Sequence, residues 1–283
     1  MQEIDKTKFD IEGFTLIKNV LTKDEVEKLR KASYKLIAED EKNGNYIIHR
    51  FAKNHIGCLT AISEFRKLII DDRVLKIATK LLGEKPTFFG DCIMEIGIGN
   101  RGFHKDTANR NDQTHPDWTE DYPVIRIAFY LEDHANHSGG LKVRVGSQNT
   151  VKTNQGKAVI LPTQAGDAAA FCLRTSHAGN AVRLKIAPNI SLHTSLEKRI
   201  PNFLKVPEEK ERISIFLTYG LKSGALDRFM EYMYNHSVYQ KRIHNTNYST
   251  AVKDEISSKV NFIDITESYK AYNNQQQCPI LKK

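Results

Sequence analysis

The chain has 283 residues, with 42 Lys and Arg against 34 Asp and Glu, for a formal net charge of +8. Its 40% hydrophobic and 27% charged residues exclude a disordered chain and are enough to close a sizeable core. The longest apolar run, Ala168 to Leu173, falls far short of the roughly 18 residues that cross a bilayer, and Met1-Gln2-Glu3-Ile4-Asp5 has no apolar leader, so neither membrane contact nor secretion is expected.

The N-terminal third reads helical. Thr22 can cap a first helix and Glu25 can close a capping box, with Leu21 and Val26 at the hydrophobic-staple positions. Val26, Leu29, Leu36 and Ile37 follow at helical spacing. A shorter helix is expected from Leu59 to Ile70. Another is capped by Asp72, carries Val74, Leu75, Ile77, Ala78, Leu81 and Leu82, and stops at Gly83.

After Pro86 the pattern changes to strands. Thr87 to Ile98 is rich in aromatic and β-branched residues, and Val124 to Leu131 puts Ile125, Ile127, Phe129 and Leu131 on one face. Leu141, Val143 and Val145 alternate with Lys142 and Arg144. Val159 to Leu161 and Ala168 to Leu173 flank a turn at Gln164-Ala165-Gly166-Asp167. A last strand divides into an apolar face of Ile213, Ile215, Leu217 and Tyr219 and a face of Arg212, Ser214, Phe216 and Thr218. Helical character returns after Gly220 to about Gln240, and the end of the chain reads as a loosely packed tail. The fold class is therefore mainly β with flanking helices, a sandwich or jelly-roll barrel. It is expected as a single domain: a mostly helical flank over 1–85, a barrel core over 86–220 and a C-terminal helical extension and tail over 221–283.

Four scattered cysteines, Cys58, Cys92, Cys172 and Cys278, share no CxxC spacing, which argues against a disulfide framework and fits a reducing cytoplasm. Lys and Arg are spread along the chain, so the charge reads as a solvated surface and nucleic acid is not an expected partner.

His104-Lys105-Asp106 places an imidazole and a carboxylate on one face of an extended segment. His177, just past the strand ending at Leu173, can supply a third ligand. Two histidines and one carboxylate on one side of an ion leave the opposite positions open, as in non-haem Fe(II) oxygenases. The same set can hold zinc and a water in a hydrolase. His134 and His137 fall in a hairpin turn instead. Two long loops, Thr107 to Pro123 and Ala181 to Glu211, stand out as segments of functional length.

Several further segments, in order, carry a family resemblance. They are Phe9 to Leu21, Leu81-Leu82-Gly83, His104-Lys105-Asp106, Ser138-Gly139-Gly140-Leu141 with Gly146-Ser147, Ala165-Gly166-Asp167 through Phe171 to His177, and Arg212-Ile213-Ser214 with Tyr219-Gly220. Together they resemble the phytanoyl-CoA dioxygenase family of Fe(II)/2-oxoglutarate oxygenases. The resemblance implies a double-stranded β-helix with N-terminal helices packed on it. It implies Fe(II) held by His104, Asp106 and His177, and O2 and 2-oxoglutarate as cosubstrates. The far carboxylate of 2-oxoglutarate would pair with an arginine, whose fork matches a carboxylate. Arg212 is favoured for that role, with Ser214 beside it, and Arg183 is the alternative. Retention of Asp106 favours hydroxylation over halogenation. The chain departs from the family pattern at Val145 and Gln148, where the family has Pro and His, and Arg212 lies farther past the second histidine than the family's arginine does.

Substrate choice falls to the rim loops. Asn109, His115 and Trp118 are expected to touch a small-molecule substrate, and the basic second loop suggests an anionic one. Arg126, opposite its strand's apolar face, can bind a substrate carboxylate if that face points into the barrel. The alternatives are an oxygenase of nucleic acid or protein with the same centre, and a non-catalytic binding barrel.

Overall fold

A computed structural model of the protein describes residues 3–49, 51–98, 102–179, 181–188, 190–192, 194–197, 199–208 and 212–277. Among these residues no helix is long and apolar enough to cross a membrane. The first long helix, Lys23–Asn43, begins where the sequence places it. The Thr22 hydroxyl accepts the Glu25 N–H at 3.3 Å, and the Glu25 carboxylate accepts the Thr22 N–H at 2.8 Å. The expected helix from Leu59 to Ile70 splits into a 3-10 turn, Leu59–Ala61, and a helix, Ser63–Ile69. The helix Asp72–Leu82 is capped by Asp71 rather than Asp72: the Asp71 carboxylate accepts the Arg73 N–H at 2.9 Å, which leaves Asp72 in the first turn.

Eleven strands follow in chain order among the described residues: β1 Phe14–Ile17, β2 Tyr46–His49, β3 Phe51–His55, β4 Thr87–Ile98, β5 Val124–Tyr130, β6 Lys142–Arg144, β7 Ala158–Ile160, β8 Ala168–Cys172, β9 His177–Ala178, β10 Ile213–Gly220 and β11 Asn261–Phe262. An eight-stranded sheet runs β1-β8-β5-β10-β4-β3-β2, with β11 pairing parallel to β4; a three-stranded sheet runs β7-β6-β9. Strands from outside 86–220 thus extend the large sheet on both sides. The β2–β3 hairpin interrupts the helical N-terminal third. Towards the C-terminus the helices Thr250–Lys259 and Ile265–Gln277 flank β11, and the last of them includes Gln275 to Gln277; the residues after Gln277 lie outside the described ones. Ile256, Val260 and Ile265 are buried there.

The two faces of the large sheet do different jobs. Ile125, Ile127 and Phe129 on β5, with Ile213, Ile215, Leu217 and Tyr219 on β10, join one large apolar cluster with the helices. The other face meets the small sheet through a smaller cluster in which Phe14, Ala128, Tyr130 and Phe171 face Leu141, Val143 and Leu161. The strand faces that alternate with the apolar ones therefore turn inward, and Arg126, Arg212, Ser214 and Thr218 lie on them. On β4 a bulge sets the same phase. The register steps from Leu217↔Cys92 to Tyr219↔Phe88, and Gly90 in the bulge has φ +85, a conformation that favours glycine. A Cβ at Gly90 would also lie 2.6 Å from the Tyr248 hydroxyl. Beyond the bulge, Asp91 and Glu95 come to the inner side, where they meet Arg126 and Arg212.

Two buried histidines make stability sensitive to acid. Burial first, then the charge of Arg212, holds the His134 pKa down at about 4. Burial lowers His55 against the opposing pull of Asp40. A histidine whose folded pKa is depressed stays neutral while the unfolded chain takes up a proton, so stability falls as pH drops from about 6.5 towards 4. Thermal melts between pH 7.5 and 4.5 should show Tm falling through this window, with a shallower fall in His134→Gln. Equal slopes in both proteins would contradict the assignment to His134.

Candidate active site

Backbone pairing brings the three ligand candidates together. His104 and His177 form an antiparallel bridge: the His104 N–H donates to the His177 carbonyl at 3.0 Å and the His177 N–H returns to His104 at 2.9 Å. The Asp106 N–H donates to the Leu173 carbonyl at 2.9 Å. The extended segment sends His104 and Asp106 to one side and Lys105 to the other, where its ammonium donates to the Ser147 and Arg174 carbonyls, both at 2.7 Å. One ligand atom from each of His104, Asp106 and His177 lies within 4.8 Å of the other two. His104 Nε2 is 3.7 Å from one Asp106 oxygen and His177 Nε2 is 3.4 Å from the other.

The donor chemistry suits a divalent metal. His104 Nδ1 sits 3.0 Å from the Gly102 carbonyl and His177 Nδ1 3.0 Å from the Thr175 carbonyl. A carbonyl only accepts, so each Nδ1 carries the proton and each Nε2 presents its lone pair towards Asp106. Burial first, then the neighbouring His177, lowers the His104 pKa to about 4. Burial alone would raise the Asp106 carboxyl, but the Arg126 guanidinium beside it, with His177 and His104, holds it well below the usual carboxylate range.

Arg126 is committed to this support. It donates through Nη1 to Asp106, through Nη2 to Asp91 at 2.7 Å and through Nε to the Thr218 hydroxyl at 3.1 Å; Thr218 donates in turn to Asp91 at 2.7 Å. Its strand face points inward and it lines the cavity beside the ligand candidates. Two carboxylates and a hydroxyl use the guanidinium, which leaves no fork for a substrate carboxylate.

The three ligand candidates line a cavity of about 320 Å³ together with Arg212, Tyr130 and Glu95. Arg212 donates to Glu95 at 3.0 Å and stacks over the Tyr130 ring at 5.0 Å. The Ser214 hydroxyl also reaches Glu95, at 3.4 Å. Arg212 Nε and the Tyr130 hydroxyl are buried without a hydrogen-bond partner. Buried polar groups are rarely left so, and a carboxylate-bearing molecule would satisfy both. Arg183 is placed elsewhere: its guanidinium donates to the His134 carbonyl at 2.8 Å, and it is not among the residues lining this cavity.

In the first long loop, the three side chains expected to touch substrate lie outside the lining of this cavity. Asn109 Oδ1 accepts the N–H groups of Asn111 and Asp112 at 3.2 and 3.1 Å, turning the loop. His115 caps the helix Pro116–Thr119 by accepting the Asp117 N–H at 3.1 Å. Trp118 is buried, donates to the Asn109 carbonyl at 3.2 Å and packs under Lys105 and Arg174. These side chains hold the loop's own shape and do not line the cavity. The loop residue that does is Arg110. The cavity also takes Tyr232 from the helix Gly224–Asn235, Tyr239 and Arg242 from the helix Ser237–His244, and His236 from the junction between them. Asp91, Glu95 and these C-terminal residues were not picked out by the sequence. Their only sequence signal is helical spacing through Tyr232, His236 and Tyr239, which reads equally well as core packing.

Comparison with known proteins places this architecture. No curated protein sequence matches the chain. Solved structures do, at low identity. One is the non-heme alpha ketoglutarate dependent epimerase SnoN from nogalamycin biosynthesis, with 15% identity and a TM-score of 0.55, covering 76% of this chain and 80% of that one. HygX from Streptomyces hygroscopicus, with nickel and 2-oxoglutarate bound, gives 15% identity and a TM-score of 0.55 over 78% of this chain and 88% of its own. EctD from S. alaskensis, with bound Fe, gives 18% identity and a TM-score of 0.52 over 76% and 75%. These likenesses establish the shared double-stranded β-helix fold. The phytanoyl-CoA dioxygenase (PhyH) family profile matches residues 9–183, more than half of the sequence and a span that includes His104, Asp106 and His177 but stops short of Arg212. The chain belongs to the phytanoyl-CoA dioxygenase family.

Proposed function

We propose that this protein is an Fe(II)- and 2-oxoglutarate-dependent dioxygenase that hydroxylates a small molecule. The observation that carries the proposal is a single cavity lined by His104, Asp106 and His177, whose ligand atoms converge, and by Arg212, whose buried guanidinium has an unused donor. With iron and 2-oxoglutarate bound, such a centre couples O2 reduction and oxidative decarboxylation to succinate and CO2 with oxidation of the substrate.

The chain's own residues would prepare that chemistry. His104 and His177 would bind the metal through Nε2, each held in its tautomer by a backbone carbonyl. Asp106 would bind as a carboxylate, kept ionised by Arg126. Arg212, with Ser214 and the Tyr130 hydroxyl beside it, would take the far carboxylate of 2-oxoglutarate and so fix which end meets the metal.

The substrate is a small organic molecule, and an anion by our reading, because Arg126 and Arg212 are paired with carboxylates while Arg110 and Arg242, which also line the cavity, have none within ion-pair distance among the described residues. The free thiols at Cys58, Cys92 and Cys172 support a reducing, cytoplasmic setting. Protein given Fe(II), O2 and 2-oxoglutarate should release succinate slowly without added substrate. A chelator or His177→Ala should abolish this. Succinate release that survives His177→Ala would refute the proposed metal site.

A further inference from the structure

We infer that Arg242, Arg110 and His236 form an anion-binding subsite for the substrate, one that grips a carboxylate or phosphate while the body of the molecule lies on Tyr232 and Tyr239. This inference rests on the reading that the metal and 2-oxoglutarate fill the part of the cavity bounded by the His-Asp-His set and Arg212.

The wall of the cavity contributed by the C-terminal helices is aromatic and basic. Tyr232, His236 and Tyr239 form a ring cluster with centroids 5.3, 5.6 and 6.0 Å apart. Arg110 lies over Tyr232 at 5.8 Å and donates to its hydroxyl at 3.3 Å. Arg242 lies over Tyr239 at 5.6 Å. The two guanidinium groups therefore flank one aromatic surface, and all five side chains line the cavity that holds the ligand candidates.

The charges on this wall are unbalanced. Arg126 is paired with Asp106 and Asp91, and Arg212 with Glu95. Among the described residues, neither Arg110 nor Arg242 has a carboxylate within ion-pair distance. Among the described residues, Arg242 Nε and His236 Nδ1 are buried polar atoms without a partner. The His236 pKa lies below its ordinary value, through burial first and then the charges of Arg110 and Arg242.

Arg110 is exposed and Arg242 and His236 are half-buried, but Arg242 Nε and His236 Nδ1 are themselves shielded from solvent, and a shielded polar atom without a partner costs desolvation energy that nothing returns. Two such atoms on one wall, beside a guanidinium already braced by Tyr232, match a ligand with several acceptor oxygens. The aromatic faces between them suit an unsaturated or ring-bearing body. Carboxylates and phosphate esters share this recognition chemistry.

The test uses Ni(II)-loaded protein saturated with 2-oxoglutarate, so that the cosubstrate cannot be the anion observed. Phenyl phosphate, benzoate and the neutral benzyl alcohol are each titrated by calorimetry. At least one anion should bind and benzyl alcohol should bind far more weakly; the stronger anion identifies the preferred headgroup. Arg242→Gln and Arg110→Gln should each weaken that anion by about tenfold to a hundredfold, the worth of one or two charged hydrogen bonds. Arg242→Lys, which keeps the charge, should lose less. Thermal melts check that the variants fold, and because Arg110 is on a loop and Arg242 on a helix, one does not depend on the other. The inference fails if neither anion binds wild type, if both Gln variants bind as wild type does, or if extra 2-oxoglutarate displaces the anion. Failure of the cosubstrate reading is seen separately, as absence of 2-oxoglutarate binding to the Ni(II) protein.

Discussion

Replacing Arg126 with methionine should destabilise the protein by about 3–5 kcal/mol, the cost of leaving buried charges without their partner. Arg126 fills the space between Asp106 and Asp91 on the inner face of the large sheet and is itself buried. Methionine keeps much of the volume but abandons two carboxylates. For a chain of this size the loss corresponds to a fall in Tm on the order of 10 °C. The pH dependence identifies the cause. In the wild type, Arg126 holds Asp106 low against the opposing effect of burial. A depressed carboxylate contributes stability above its unfolded pKa and loses it as pH falls through the folded value. In Arg126→Met, burial is opposed only by His177 and His104, Asp106 shifts upward, and protonation relieves the strain. The Tm gap between wild type and variant should therefore narrow from pH 8 to pH 5. A gap that stays constant would mean that lost packing, not unpaired charge, accounts for the change.

The second large effect concerns Arg212. Arg212→Gln should raise the Kd of 2-oxoglutarate for the Ni(II)-loaded protein by about a hundredfold or more, as expected for truncating one side of a buried charged pair. Glu95 adds a sharper comparison. It accepts from both Arg212 and Ser214, the groups assigned to the cosubstrate's far carboxylate. Incoming 2-oxoglutarate must share or displace it, and two carboxylates on one guanidinium repel. Glu95→Gln removes that repulsion with little change in shape and should tighten 2-oxoglutarate. Isothermal titration of both variants distinguishes competition from support: weaker binding in Glu95→Gln would mean that Glu95 orients Arg212. Arg183→Gln should leave the Kd near wild type, since Arg183 is tied to the His134 carbonyl away from the cavity.

Much of the fold was legible because local signals agreed with packing. The Thr22 and Glu25 capping box formed as its spacing required, and the alternation on β5 and β10 gave both the strands and their two faces. What the alternation could not supply was which face is inside. A strand covered by helices puts its most apolar face outward from the barrel, so the polar residues Arg126, Arg212 and Thr218 are the inner ones. The hairpin β2–β3 and the short β11 were missed for another reason. β3 and β11 pair with β4, far away in sequence, β2 pairs only with the adjacent β3, and short strands carry little periodicity of their own.

The site divides in the same way. His104 and Asp106 were legible from spacing on an extended chain, and His177 from its place after a strand. Asn109, His115 and Trp118 were read as rim contacts because a long polar loop suggests exposure. The structure instead closes that loop on itself, through an Asx-type turn, a one-turn helix cap and a buried indole. Arg126 was read as a ligand contact because a lone arginine on an inner face suggests a free charge. Its partner Asp91 arrives on another strand, past a bulge that no period-two pattern anticipates. Tyr232 and Arg242 lie on two helices, joined at His236, whose spacing looks like packing, and only the tertiary arrangement puts all three on the cavity wall.

The central claim is that His104, Asp106 and His177 hold iron in reach of a 2-oxoglutarate anchored by Arg212. The most direct test is the visible spectrum of the anaerobic protein with Fe(II), titrated with 2-oxoglutarate. The account predicts a weak metal-to-ligand charge-transfer band in the wild type, absent in His177→Ala and requiring far more 2-oxoglutarate in Arg212→Gln. No band in the wild type, or an unchanged band in His177→Ala, would contradict it.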